Sequence, residues 1–223
     1  MTSDRDLVLL PGLAADARQF APQRSMFPSL RVGDWIPHRA SESLAEYAAR
    51  LAPGMRLNSD SVLGGSSFGG MVALEVARLL RPRAVVLIGS CRSPRELRPA
   101  LALFARIGRH IPGAVIDMGR CLAAPMARVA GPAPLHIRRE LATMSRGISA
   151  GYLKWAAGAV MAWPGCPDPG VPVFQIHGSA DRMMPVDRVR ADVVVLGAGH
   201  VLNMTHPEPV NAFLGEVLDG RRN

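Results

Sequence analysis

Cysteine is scarce in this 223-residue chain: Cys91, Cys121 and Cys166 are an odd number, widely spaced. That excludes a disulfide framework, and no Cys/His cluster has the spacing of a zinc site, so neither a structural metal nor a metal-binding role is expected. No apolar run reaches the roughly 18 residues that a membrane-spanning helix needs. The opening run MTSDRDLVLLPG carries acids where a secretory signal has basic residues, and its apolar part is short, so a cytoplasmic location is expected. Internal repeats and low-complexity tracts are absent too. With 48% hydrophobic and 20% charged residues, the composition is that of an ordinary globular chain. Its length is enough for one domain with a full core.

Lysine is nearly missing as well. Lys154 is the single one, so arginine carries the net charge of +8. The excess is local: between Cys91 and Gly165, eleven Arg or Lys stand against three acids, Glu96, Asp117 and Glu140, and elsewhere the two signs balance. Such a segment reads either as a solvated arginine-rich face or as a surface that attracts an acidic partner or substrate. No recognition motif or aromatic–basic interleaving accompanies it, so nucleic-acid binding is not expected.

What is present alternates. Strand patterns fall at 6–10, 31–36, 61–65, 84–89, 171–178 and 192–197, several as unbroken apolar runs of the kind buried on both sheet faces. Helical patterns fall at 42–52, 69–81 and 207–220. The stretch 91–169 breaks the rhythm, reading as short helices punctuated by prolines. The expectation is an α/β fold with a mostly parallel central sheet of about six strands flanked by helices. A core of 1–90 and 170–223 would carry a helical lid, 91–169, inserted after the fourth strand. Leu101, Phe104, Met118, Met126, Leu135, Leu141, Met144, Trp155 and Trp163 offer apolar surface in that insertion, most of it expected in the lid's own core and some of it against an acyl or aromatic pocket.

Gly65-Ser66-Ser67-Phe68-Gly69 fits G-x-S-x-G between a strand pattern and a helix pattern, the setting of a nucleophile elbow. Small residues two before and two after the apex let strand and helix pack closely, and the register selects Ser67, since Ser66 would need glycine at position 68. A serine hydroxyl needs a base, and the base an orienting acid. Asp181 in IHGSADRMMP and His200 in LGAGHVLNMTHP follow in the chain order of such sites, each in a loop just beyond a strand. Asp187 is a rival acid and His206 a rival base, the latter better read as capping or packing at the mouth of the last helix. His177 reads as a packed neighbour of the acid loop, Asp168 as a turn residue, and Cys91 as a buried neutral thiol. After the first strand, Gly12 lets the backbone approach a carbonyl oxygen, so the Leu13 and Phe68 N–H groups are the expected oxyanion donors.

On the pieces LLPGLAADA, LGGSSFGGMVALEVA, IHGSADRMMP and GAGHVLNMTHPEPVNAFL, the chain resembles the α/β-hydrolase superfamily over nearly its full length apart from the insertion. The resemblance implies Ser67 as nucleophile, Asp181 as orienting acid, His200 as general base, and a carboxylic ester or thioester cleaved through an acyl-enzyme without a cofactor. The other implied outcome is a non-hydrolytic member: a lyase, a perhydrolase or a ligand-binding protein. Serine rather than aspartate at the elbow argues against dehalogenase and epoxide-hydrolase chemistry. The first strand pattern leads directly into the Gly12 loop, so a reduced sheet without the family's amino-terminal hairpin is expected, and Pro11-Gly12 stands where His-Gly is usual. The substrate is expected to be a small molecule. The basic insertion suggests an anionic or carrier-bound one, in the manner of the small esterases that cleave carrier-bound methyl esters.

Overall fold

Runs of Val, Leu and Ile without a polar break become strands covered on both sides. In the computed structural model, which describes residues 6–101 and 130–222, these are β1 (Leu7–Leu10), β2 (Arg31–Val32), β3 (Val62–Ser66), β4 (Ala84–Ile88), β5 (Val173–Gly178) and β6 (Val193–Val195). Every residue of β1, β3 and β4 is buried. All pairings are parallel, in the order β2-β1-β3-β4-β5-β6. The expected six-stranded parallel sheet is therefore the observed one. Cys121 and the stretch 102–129 of the expected lid lie outside the described residues.

The helices are α1 (Ala21–Met26), α2 (Leu44–Leu51), α3 (Phe68–Leu80), α4 (Leu135–Ser145), α5 (Ala150–Ala162), α6 (Leu202–Thr205) and α7 (Pro207–Leu218). The period-2 alternation of β1 divides the core: Val8 and Leu10 join Tyr47, Leu74 and Leu87 on one face, while Leu7 and Leu9 join Phe20, Val86 and Phe213 on the other. At about 25 cal/mol per Å² of apolar area removed from water, these two layers supply most of the drive to fold. α2 starts at a capping box. Ser43 Oγ accepts the Glu46 N–H, and Glu46 Oε2 accepts the Ser43 N–H, an arrangement worth about 1 kcal/mol.

Two expectations change. The second strand, expected over 31–36, ends at Val32. Gly33 N–H still bonds Leu9 O at 3.0 Å, but Trp35 then leaves the sheet to pack its ring 5.3 Å from that of Phe68 and 6.2 Å from that of Tyr47. Pro37 next removes a ladder donor, as an edge strand tolerates. Trp155 and Trp163 pack outside their own segment. α5 brings Tyr152, Ala156, Val160 and Trp163 into the core layer of α2 and α3. Trp163 Nε1 donates to buried Glu75 Oε1 at 2.7 Å, and Trp155 Nε1 to Glu42 O at 2.8 Å. Met144 instead packs in a satellite cluster with Ile137 and Val201.

Among the described residues no helix is long and apolar enough to cross a membrane.

Candidate active site

β3 ends at Ser66 and α3 begins at Phe68, so one residue makes the whole reversal. Ser67 pays for it with φ +52° and ψ −121°, a conformation that costs an L-residue about 1–3 kcal/mol. Its peptide is fastened on both sides: Ser67 N–H donates to Ile88 O at 3.1 Å, and Ser67 O accepts Ser90 Oγ–H at 2.6 Å. Serine at a helix N-cap ordinarily caps its own helix. Here the Ser67 side chain makes no cap bond and turns away to His200.

The flanking glycines are required by contact. A Cβ on Gly65 would lie 2.6 Å from Gly69 O, and one on Gly69 would run into the carbonyl oxygens of Leu10 and Pro11. Backbone cannot swing aside as a side chain can. Gly69→Ala is therefore expected to destabilise the protein by about 3 kcal/mol, lowering Tm by roughly 10 °C, as differential scanning calorimetry would read.

Asp181 and His200 stand on neighbouring loops at the carboxyl end of the sheet, after β5 and β6. Asp181 Oδ1 accepts the N–H groups of Met183 and Met184 at 2.8 and 3.0 Å. Its Oδ2 lies 2.7 Å from His200 Nδ1, and His200 Nε2 lies 2.8 Å from Ser67 Oγ. A carboxylate only accepts. His200 must therefore carry its proton on Nδ1, and its Nε2 lone pair faces the Ser67 hydroxyl. Asp181 is nearly fully buried. Burial opposes its ionisation, yet the electrostatic pull of the adjacent His200 ring, the hydrogen bonds from His177 and His200 and the Met184 N–H together hold its carboxyl well below the usual range. His200 is fixed through its backbone, whose N–H donates to Ala130 O at 2.7 Å.

Sequence reasoning missed some of the support. His177, fully buried, places Nε2 2.8 Å from Met184 O and 3.3 Å from Asp181 Oδ2, so it is a second donor to the acid and more than a packed neighbour. Its other nitrogen lies 3.4 Å from Gln175 Nε2, which can only donate. That fixes His177 as the neutral Nε2–H tautomer. No local pattern marks it, since its partners arrive through the loop that follows.

The two expected oxyanion donors are left open by their surroundings. The Ser67 N–H is taken by Ile88 O and the Gly12 N–H by Gln19 Oε1, whereas the N–H groups of Leu13 and Phe68 donate to no described residue. The rivals fall elsewhere. His206 Nδ1 meets Thr205 Oγ1 at 2.9 Å and its side chain does not cap α7. Asp187 is exposed, and Asp168 Oδ1 accepts Gly170 N–H at 2.8 Å in a turn. Burial raises the Cys91 thiol far above its usual range, and burial with the Glu75 carboxylate pushes Cys166 up to about 11. Both are inert at neutral pH. Among the described residues no group of three or more His, Cys, Asp or Glu is placed to hold a metal. A cleft of about 400 Å³ is walled by Trp35, Ile36, His38, Ile148 and Tyr152, and the Trp35 ring packs against Phe68.

Residues 7–213 match the model of the alpha/beta hydrolase family. Among solved structures, a thermophilic esterase from Thermogutta terrifontis superposes with a TM-score of 0.76 at 20% identity, covering 97% of this chain and 90% of that one. An esterase from Exiguobacterium antarcticum gives 0.74 at 14% identity, with 98% and 93% covered. The RedJ thioesterase of the prodiginine biosynthetic pathway in Streptomyces coelicolor gives 0.64 at 19% identity, with 96% and 85% covered. At such identities the likeness is one of fold. No curated protein matches the sequence.

Proposed function

Because this chain belongs to the α/β-hydrolase family, we propose that it is a serine hydrolase cleaving a carboxylic ester or thioester through an acyl-enzyme. The observation that carries this reading is the unbroken hydrogen-bonded series Asp181–His200–Ser67, with spacings of 2.7 and 2.8 Å. Ser67 Oγ attacks the carbonyl carbon as its proton passes to His200 Nε2, and Asp181 stabilises the imidazolium. The carbonyl oxygen, now anionic, is met by the Leu13 and Phe68 N–H groups at the amino end of α3, whose dipole favours negative charge. Collapse expels the alkoxide or thiolate, which takes the proton from Nε2. Water then attacks the acyl-enzyme, giving its proton to Nε2, and Ser67 recovers it as the acid leaves.

The exposed Arg95, Arg98, Arg138, Arg139 and Arg146 favour an anionic substrate or an acidic carrier.

The direct test is active-site titration. A fluorophosphonate probe should label one residue, Ser67, and p-nitrophenyl esters should give a burst of one nitrophenolate per chain. Absence of both label and burst would instead identify a ligand-binding member of the family.

A further inference from the structure

Gln19 lies in the short 3-10 turn Ala17–Phe20 and is 2% exposed, a burial that is unusual for an amide side chain. Both ends of that amide are used. Oε1 accepts the Gly12 N–H at 2.7 Å, and Nε2 donates to Ser66 Oγ at 2.9 Å. The Gln19 carbonyl accepts Asn203 Nδ2–H at 2.7 Å. A backbone N–H can only donate, which fixes the orientation of the amide. One residue thus ties together the loop after β1, the residue before the elbow serine and the segment three residues past His200.

We infer that Gln19 is the positioning residue of the oxyanion hole: its side-chain amide clamps the Gly12 peptide to Ser66, and so sets the Leu13 N–H against the Phe68 N–H. The inference rests on the serine-hydrolase reading above. The two donors come from separate segments, and a displacement well under 1 Å weakens such a pair. Within the loop, Gly12 O accepts the Ala15 N–H at 3.1 Å, which leaves the Gly12 N–H to be held from outside. Pro11 has no N–H, and Gly12 has no side chain. By occupying the Gly12 N–H, Gln19 also decides which N–H remains for the substrate. It touches no reacting atom, so its effect belongs to the transition state, where the oxyanion exists, and not to ground-state binding.

Gln19→Met keeps the volume and removes both side-chain hydrogen bonds. Burst-titrated kcat on a p-nitrophenyl ester should fall by about 30-fold with KM within about threefold, and a tetrahedral boronic acid inhibitor should weaken in proportion. A purely structural role would lower Tm but leave titrated kcat and boronate affinity at wild-type values, and that result overturns the inference. Should Gln19→Met not fold, Gln19→Glu decides. Its protonated form reproduces both hydrogen bonds, whereas its ionised form sets a negative charge behind the oxyanion donors, and burial brings its titration into the working range. The ratio of its kcat to that of wild type should therefore rise as pH falls, and a flat ratio overturns the inference. If the wild type takes no fluorophosphonate label, the hydrolase reading itself is what has failed.

Discussion

Ser67→Ala is expected to lower kcat by about 10⁴- to 10⁶-fold while changing Tm by no more than a few degrees. The split follows from what the hydroxyl touches. Its hydrogen-bond partner is His200 Nε2 at 2.8 Å, so its removal deletes the nucleophile and leaves the elbow's other bonds in place. The strain at φ +52° belongs to the backbone and is the same for alanine as for serine. On the proposed mechanism a residual rate above that in water should persist, because the Leu13 and Phe68 N–H groups would still polarise a bound carbonyl. The measurement is kcat and fluorophosphonate labelling beside a calorimetric scan. Loss of labelling in Ser66→Ala, with Ser67→Ala unaffected, would move the nucleophile by one residue. The geometry speaks against that, since Ser66 is fully buried and its Oγ accepts Gln19 Nε2.

The elbow at Ser67 was legible because it is a local device. Strand pattern, glycine spacing and helix pattern all sit within about a dozen residues, and the contacts that require glycine at position 65 lie within that same turn, whereas those at 69 come from Leu10 and Pro11. Asp181 and His200 were legible through chain order, because a parallel sheet puts each loop that follows a strand at the same edge. Their distances were not. Those depend on the Met183 and Met184 N–H groups aiming one carboxylate oxygen, and on Ala130, far off in sequence, holding the His200 backbone. Gln19 and His177 were illegible as working parts for the same reason. Gln19 finds Ser66 across 47 residues and Asn203 across 184, and no periodicity records such a pairing.

Errors in the fold reading came from tertiary packing. The run from Arg31 to Ile36 has strand composition throughout, but β1, its one sheet neighbour, ends at Leu10. Trp35 instead joins the aromatic group of Tyr47, Phe68 and Tyr152. α1 and α6 have six and four residues, too few for a helical period to show. Trp155 and Trp163 lie between strands in sequence, which says nothing of the layer they pack into. Their indole N–H groups instead find partners on Glu42 and Glu75, which belong to the segments that cover the sheet.

Asp181→Asn tests the other end of the series, and its expected effect is a loss of about 10⁴-fold in kcat. The Met183 and Met184 N–H groups point at Oδ1, so the amide oxygen must take that place. The amide NH₂ then falls where Oδ2 was, facing His200 Nδ1 and His177 Nε2. Two donors cannot share a hydrogen bond. His200 must surrender its Nδ1 proton and carry one on Nε2 instead, which points an N–H at Ser67 and removes the base. Stability should shift with a sign that can be worked out. The folded carboxyl is held below its ordinary value of 3.8, so its contribution is full above that pH and is lost as pH falls through the folded value. The Tm gap between wild type and variant is therefore expected to be constant near neutrality and to close as pH drops below about 4. Wild-type turnover in Asp181→Asn would transfer the acid's role to another carboxylate, and a Tm gap that widened in acid would contradict the lowered pKa that keeps Asp181 ionised and so fixes the His200 tautomer.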